Sequence, residues 1–494
     1  MPFNRALTRL FILCLACAAA CGQTAWKPLA SVKPPEPPRE FRGVWVATVA
    51  NIDWPSKRTL TTDQQQQELH RIVDLAANTG INAILLQVRP TCDTIYPSEL
   101  EPWSEFLTGK SGKGPDPAYD PLALWISECH ARGIELHAWF NPFRSRHFEA
   151  KGPDAANHVN NAHKDWVRDY DRYKWIDPGV DEARAFSLNV IRDVVKRYDI
   201  DGVHIDDYFY PYPNDKDRFP DDSTYTAYKD GGGKLGWDDW RRDRINIFVK
   251  AMYEAVKADK PYVKVGISPF GIWRPGFPAT VKKGFDSFVK LNADSRKWLN
   301  EGWMDYCSPQ IYWQVTSPDQ PFTDLLNWWS SENTKHRVLA PGLYTSKLDS
   351  SGKWAVDDIL EQIKVTRANA GAAGAVHFSA KALLQNYKGI ATALASGPYA
   401  APALMPVFES CPGPAPAALK SVRCESGAKV DVLWAPPADA RTVIIGWRLG
   451  TQWQWQIAPA AAGGAGMNSE KLDAVAIAPV ARNGKLGSWS VFGR

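Results

Sequence analysis

Short runs of apolar residues recur along most of this chain, separated by longer stretches in which apolar positions return every three or four residues. The short runs fall at 42–48, 83–89, 135–141, 202–208, 263–270, 305–313, 338–344 and 374–379, and each reads as a strand bounded by turn residues. The stretches between them carry helix signals of their own. Thr62, Asp63, Gln64 and Gln65 read as a capping box, Leu69, Ile72, Val73 and Ala76 share one face, and Gly80 closes the end. Asp120 before Pro121 reads as an N-cap with proline at the first helical position, leading through Trp125, Ile126 and Cys129 to a stop at Gly133. Eight strands alternating with helices predict an α/β fold, a (β/α)8 TIM-type barrel over 41–395. A doubly wound open sheet is the alternative, but no Gly-x-Gly-x-x-Gly follows an early strand.

The pattern changes at both ends. Proline and alanine dominate 396–416, which predicts a linker. Strand-like runs at 429–434, 442–449, 453–457 and 474–479 then predict a small all-β sandwich over 417–494, resembling a fibronectin type III module. Its Trp447, Trp453 and Trp455 could stack on sugar, although core packing is the plainer reading. At the other end, Arg5 and Arg9 precede an apolar run from Leu10 to Ala20 that is too short to span a bilayer and fits a signal segment over 1–20. Ala18, Ala19, Ala20 and Cys21 resemble a bacterial lipobox, so Cys21 is expected to be lipidated and to head a Pro-rich tether over 21–40. Gly22 rather than Asp after that cysteine implies an outer-membrane lipoprotein facing the periplasm, if the cell is Gram-negative. Ordinary cleavage to a soluble product is the alternative.

Hydrophobic residues at 45% and charged ones at 23% allow a sizeable core and argue against wholesale disorder. The formal charge of +4 includes Arg5 and Arg9 of the signal segment, so the mature chain lacks the basic excess of a nucleic-acid protein. Cys92, Cys129 and Cys307 stand apart from one another and are expected in the core, whereas Cys411 and Cys424 could pair in an oxidising periplasm. No cofactor motif is found, and no cofactor is expected.

Chemistry concentrates at 201–211, DGVHIDDYFYP, where an apolar strand ends in two adjacent carboxylates followed by aromatic rings. Side chains alternate along a strand, so His204 and Asp206 should share a face with Tyr208, while Asp207 sits at the rim. A turn with a capping Asp is the plainer reading. At the C-terminal ends of the other strands the barrel mouth would collect Arg42, Trp45, Gln87, Arg89, Trp139, Asn141, Ser268, Gln310, Tyr312, Trp313, Tyr344 and His377. With 22 Trp, 17 Tyr and 19 Phe in the chain, such a mouth suits a ligand with flat apolar faces and hydroxyl edges, which is to say carbohydrate. Glycoside hydrolysis requires a proton donor and a second carboxylate or equivalent. Asp206 and Asp207 are the catalytic candidates, and since neighbours on a strand point apart, Asp53, Glu101, Asp221, Asp222 and Asp305 are candidates for the second group. His137, His204 and His377 facing inward with Asp206 would instead suggest a metal-dependent polysaccharide deacetylase, but no His-x-His or His-Glu-x-x-His spacing supports it and no metal site is expected. A noncatalytic glycan-binding barrel is the third reading.

The segments FRGVWVATVANIDWPS at 41–56, LLQVRP at 85–90, LHAWFNP at 136–142, DGVHIDDYFYPYP at 201–213, ISPFGIWR at 267–274 and SPQIYW at 308–313 resemble glycoside-hydrolase-like family 10, formerly domain of unknown function 187, over roughly 41–395. The resemblance implies a barrel hydrolase of the bacterial envelope, often a lipoprotein. One member type is a division-site glycosidase acting on peptidoglycan glycans already stripped of stem peptides, with division or wall-remodelling machinery as partner. Asp206 and Asp207 carry over from the DDYFYP motif. A more distant similarity links Asp201, His204, Asp206 and Tyr208 to the Asp-x-x-Asp-x-Asp-x-Glu strand of family-18 chitinase-like barrels, but His stands for the second Asp and Tyr for the acidic Glu.

Overall fold

The computed structural model describes residues 26–214, 216–349, 352–426, 429–468 and 471–494; the signal segment and Cys21 lie outside them. Eight parallel strands follow the expected order: β1 (Phe41–Val46), β2 (Ala83–Arg89), β3 (Glu135–Phe140), β4 (Gly202–Ile205), β5 (Lys264–Ile267), β6 (Tyr306–Cys307), β7 and β8 (Gly374–His377). β7 is split into Val338–Leu339, which pairs with β6, and Gly342–Leu343, which pairs with β8. The two ends of the sheet are therefore one stretch of chain, and the barrel closes through it. Pro341, lacking an N–H, stands at the break.

Alternation along the strands sorts side chains into two shells. Phe41, Trp45, Ala83, Leu85, Trp139, Tyr306, Val338 and Val376 fill the barrel, while a much larger apolar layer joins its outer face to the helices. Gly266 is required on β5 because a Cβ there would lie 1.8 Å from the Tyr306 ring. Tyr306 anchors a polar column on the barrel axis. Trp45 Nε1 donates to His204 Nε2 at 3.1 Å, and Tyr306 Oη lies 3.0 Å from His204 Nδ1 and 2.8 Å from His137 Nδ1. His137 Nε2 meets Glu135 at 3.0 Å, and Lys264 Nζ donates to Glu135 at 2.8 Å on the barrel floor. An indole N–H can only donate, so His204 carries its proton on Nδ1 and the bonds from Trp45 to Glu135 all run in one sense, with Lys264 donating to Glu135 from below.

The helices begin where their caps say. Thr61, one residue earlier than expected, caps the helix Thr62–Thr79 in a capping box with Gln64, and Gly80 ends it at φ 80. Asp120 accepts from Ala123 N at 3.1 Å over Pro121–Ala131. Two long connections extend the mouth. The first holds an antiparallel sheet of Arg144–Arg146, Tyr173–Ile176 and Val167–Tyr170, and the second holds the helix Asp222–Asp230.

The C-terminal region is an all-β sandwich of two sheets built from Lys420–Ser426, Val430–Ala435 and Gly464–Met467 on one side and Ala440–Leu449, Gln452–Pro459, Leu472–Ala481 and Ser490–Gly493 on the other. Trp447 is buried in its core, and Trp453 and Trp455 lie nearly parallel at 6.1 Å on the opposite face of their sheet, half-buried. The 396–416 stretch, expected as a linker, sends Phe408 and Cys411 into the inner core at the barrel floor. The tether is docked too: Lys27–Pro28 pairs with the strand Ser490–Gly493, and Trp26 Nε1 donates to Ser426 Oγ at 2.9 Å. Cys411 and Cys424 are not bridged, since Cys411 is buried against Lys257 on the floor while Cys424 belongs to the sandwich. Cys92, Cys129 and Cys307 are buried in the outer apolar layer.

Candidate active site

β4 stops at Ile205, earlier than its apolar pattern suggests, and this decides the geometry of the acidic pair. Beyond the last ladder residue the alternation of strand faces no longer applies, so Asp206 and Asp207 both open into one pocket of about 270 Å³ at the barrel mouth. The expectation that neighbours must point apart is thereby corrected. Trp45, Gln87, Trp139, Tyr208, Ser268, Gln310, Tyr312 and Tyr344 line the same pocket. With Phe378 after β8, all eight strand ends contribute to it.

The two carboxyls are buried and differ in support. Asp206 is pushed up to about 7, first by burial and then by the charge of Asp207. Its Oδ2 makes no full hydrogen bond among the described residues, so the ionised form gains little support there. Asp207 is also raised by burial, but the Tyr212 hydroxyl donates to it and favours its ionised form. Like charges side by side in a dry site cannot both ionise readily, so near neutral pH the pair keeps one proton, with Asp206 the better holder. The buried Trp139 indole N–H on the pocket wall faces Asp206 and lowers its pKa somewhat, without closing to a full hydrogen bond.

Six of the expected binding residues lie elsewhere. Arg42 follows inward-facing Phe41 and so points outward at the floor, donating to Glu40 at 2.7 Å and stacking on Tyr399 at 4.5 Å. His377 follows inward-facing Val376 and meets Thr345 and Tyr399 in the outer shell. Arg89 sits after a register shift in β2 and is fully buried against Glu101 at 3.0 and 2.8 Å. Asn141 accepts from Arg144 N at 2.9 Å and braces the first connection. Trp313 packs on Phe270, 5.8 Å between ring centres, outside the pocket. His204 lies one layer below, as a fixed support of Trp45 and Ser268, and burial beside His137 lowers its pKa well below the usual value.

The candidates for a remote second carboxylate do not reach the pocket. Asp53 accepts from Ala47 N, Ser379 Oγ and Lys381 N. Glu101 belongs to Arg89, Asp221 to Arg241 at 2.6 Å, and Asp305 to Lys257 at 2.5 Å. Asp222 pairs with Arg218 on the surface. Among the described residues only Asp206 and Asp207 bring carboxyls to this pocket. The three histidines weighed as metal ligands are not gathered either, since His377 is outside the barrel and His137 and His204 are committed to Tyr306. Among the described residues no group of three His, Cys, Asp or Glu has the spacing of a metal site.

Sequence reasoning missed Arg144 and His147 from the first connection and Tyr212 from the second. Their signal was the unusual length of those connections, rich in aromatic and polar residues. The connections are tied together: Trp175 Nε1 donates to Phe209 O at 2.9 Å, and the Tyr170 hydroxyl donates to Asp217 O at 2.9 Å. A proton-holding carboxyl, an ionised neighbour and flat aromatic walls can protonate a leaving oxygen and steady a developing positive charge on a sugar ring.

The chain is similar to several known proteins. The chain is 42% identical over 378 residues to the glycosyl hydrolase YngK of Bacillus subtilis (strain 168), covering 74% of this chain and 73% of that one. It is 33% identical over 347 residues to the glycosyl hydrolase DigH of Escherichia coli (strain K12), covering 66% of this chain and 78% of that one. Among solved structures, the PgaB (BpsB) glycoside hydrolase domain from Bordetella bronchiseptica is similar with a TM-score of 0.48 at 12% identity, covering 72% of this chain and 98% of that one. The family model described as glycosyl hydrolase-like 10 matches residues 40–357, and the chain belongs to that family.

Proposed function

We propose that this protein is an exported glycosidase that cleaves N-acetylated cell-wall glycan, peptidoglycan strands lacking stem peptides above all. The single observation that carries the reading is the buried Asp206 and Asp207 pair, with Tyr212 donating to Asp207 alone, in an aromatic-walled pocket at the mouth of a barrel. Both carboxyls come from one strand end and approach the sugar from one side. The nucleophile on the other face is then the substrate's own 2-acetamido oxygen. Asp206 gives its proton to the leaving glycosidic oxygen as the acetamido oxygen attacks C1 and the C1–O bond breaks. Asp207, held ionised by Tyr212, accepts the acetamido N–H. Water then attacks C1 as the bond between C1 and the acetamido oxygen breaks, which restores the acetamido group, and the water's proton returns to Asp206. In the chitinase-like register the acid position is Tyr208, and here proton donation shifts to Asp206.

A barrel that only binds glycan would need the aromatic wall but not a carboxyl whose proton is retained near pH 7, and this favours the enzyme. The direct test is to incubate the mature protein with peptide-free strands and with peptide-bearing sacculi and to follow new reducing ends. Release from the peptide-free strands is expected, and no release from either material would remove the hydrolase reading.

The location belongs to the same reading. The charged start, apolar run and lipobox-like Cys21 support export and a lipid anchor in the outer membrane, facing the periplasm. Trp26, five positions later, is docked on the C-terminal sandwich. Sandwich residues Arg482 and Arg441 in turn meet Asp199 and Asp201, which precede β4 at the barrel floor. An anchor at Cys21 would hold the floor toward the membrane and leave the mouth facing the wall. Cys21→Ser is expected to move the protein from the membrane to the soluble fraction with its activity retained, and a membrane-bound variant would overturn the anchor.

A further inference from the structure

Among the described residues five arginines are buried, and four of them pair with a carboxylate: Arg42 with Glu40, Arg89 with Glu101, Arg184 with Asp181 and Arg241 with Asp221. Arg144 is the fifth. It is 3% exposed and lines the mouth pocket, where it is the one Lys or Arg among the lining residues. Its Nε and Nη2 both donate to the carbonyl oxygen of Pro90, at 3.3 and 3.1 Å, and its guanidinium lies 4.9 Å over the Tyr208 ring. No carboxylate of the described residues comes within ion-pair distance of it. With Nε and the near side of Nη2 turned to Pro90, covalent geometry leaves the Nη1 and Nη2 end of the fork for a ligand. A desolvated cation without a counter-ion is costly, and it is retained where a ligand brings the anion. Asp206 and Asp207 feel its charge but do not satisfy its hydrogen bonds. Neighbouring His147 is held neutral by burial and by Arg144 itself, with a pKa down to about 3, so it adds no competing cation.

We propose that Arg144 forms a subsite for a carboxylate borne by the sugar, the free lactyl carboxylate of a muramoyl residue, and thereby selects glycan whose stem peptide has been removed. The proposal rests on the peptidoglycan reading above and names the group recognised. In a peptide-bearing strand the lactyl carboxyl is an amide: it is neutral, carries the bulk of the peptide and offers the guanidinium one oxygen instead of two. A chain made of N-acetylglucosamine alone has no such group. Removal of the peptide creates the anion that a planar guanidinium fork fits best. The reaction that supplies this substrate is accordingly an amide hydrolysis at the lactyl carboxyl.

The test compares peptide-free strands with the same strands after their lactyl carboxyls are coupled to methylamine, which removes charge while adding little bulk. Wild type is expected to cleave the free form ten- to a hundredfold faster at limiting substrate. Arg144→Gln is expected to bring that ratio to near one, and Arg144→Lys, which keeps the charge but loses the fork, to an intermediate value. Calorimetric binding of a muramoyl disaccharide with its carboxyl free or methylamidated reads the same preference without turnover. No preference in wild type, or an unchanged preference in both variants, overturns the subsite. Binding preference without cleavage of either form would leave the subsite standing and remove the hydrolase reading instead.

Discussion

At the scale of single residues, the site turns on where one proton resides. Asp206 has a folded-state pKa of about 7 against an ordinary 3.8. Between those values the folded protein binds more protons than the unfolded chain, so stability falls as pH rises through this window and the cost is full above pH 7. Asn at this position keeps the shape and abolishes the charge. Asp206→Asn is therefore expected to stabilise the fold by about 1–3 kcal/mol at pH 8 and by roughly a third of that at pH 5, read from denaturant midpoints at the two pH values. The same variant should lower turnover by about a hundredfold or more, as loss of a proton donor does. Wild-type activity should decline as pH rises through about 7, where Asp206 gives up its proton. An equal stability change at both pH values would mean that Asp206 is ionised throughout and is not the acid.

At the scale of elements, what the sequence reveals follows the reach of each interaction. Caps and apolar periodicity are local, so the helices starting at Thr62 and Pro121 and the eight strand positions are legible within a residue or two. Strand ends are less so. Apolar residues continue past β4, β5 and β6 after the ladder has stopped, which is why the expected 305–313 strand reduces to Tyr306–Cys307. The misplacement of Arg42 and His377 has a different source: each is on a real strand, but alternation from Phe41 and Val376 sends both outward. Arg144, His147 and Tyr212 were illegible for a third reason. Their approach to the pocket depends on pairing between distant segments, Arg144 opposite Trp175 and Trp175 bonded to Phe209 O, which no local pattern encodes.

At the scale of the whole molecule, the floor of the barrel is shared property. Phe408 packs edge-on to Tyr306, the residue that anchors the axial column, and Leu404 exchanges backbone bonds with Pro38 and Glu40 at 2.9 Å each. The sandwich adds polar clamps from outside: Arg482 donates to Asp199 at 2.7 and 2.9 Å, Lys264 Nζ donates to Arg482 O at 2.8 Å, and Phe408 N donates to Asn483 O at 2.9 Å. Two truncations separate these contributions. A chain ending at residue 416 keeps Phe408 and the floor segment but loses the clamps, so it is expected to unfold cooperatively at a lower temperature than the full chain and to retain glycan cleavage. A chain ending at residue 402 also removes Leu404, Phe408 and Cys411, opens the inner core to water and gives up about 2–3 kcal/mol for Phe408 alone. It is expected to lose cooperative unfolding and, because the Tyr306 column no longer has a floor beneath it, to lose the pocket as well. Thermal unfolding of the three chains side by side decides the matter: identical midpoints for the full and 416-residue chains would make the sandwich a passenger, and failure of the 416-residue chain to fold would make it part of the barrel.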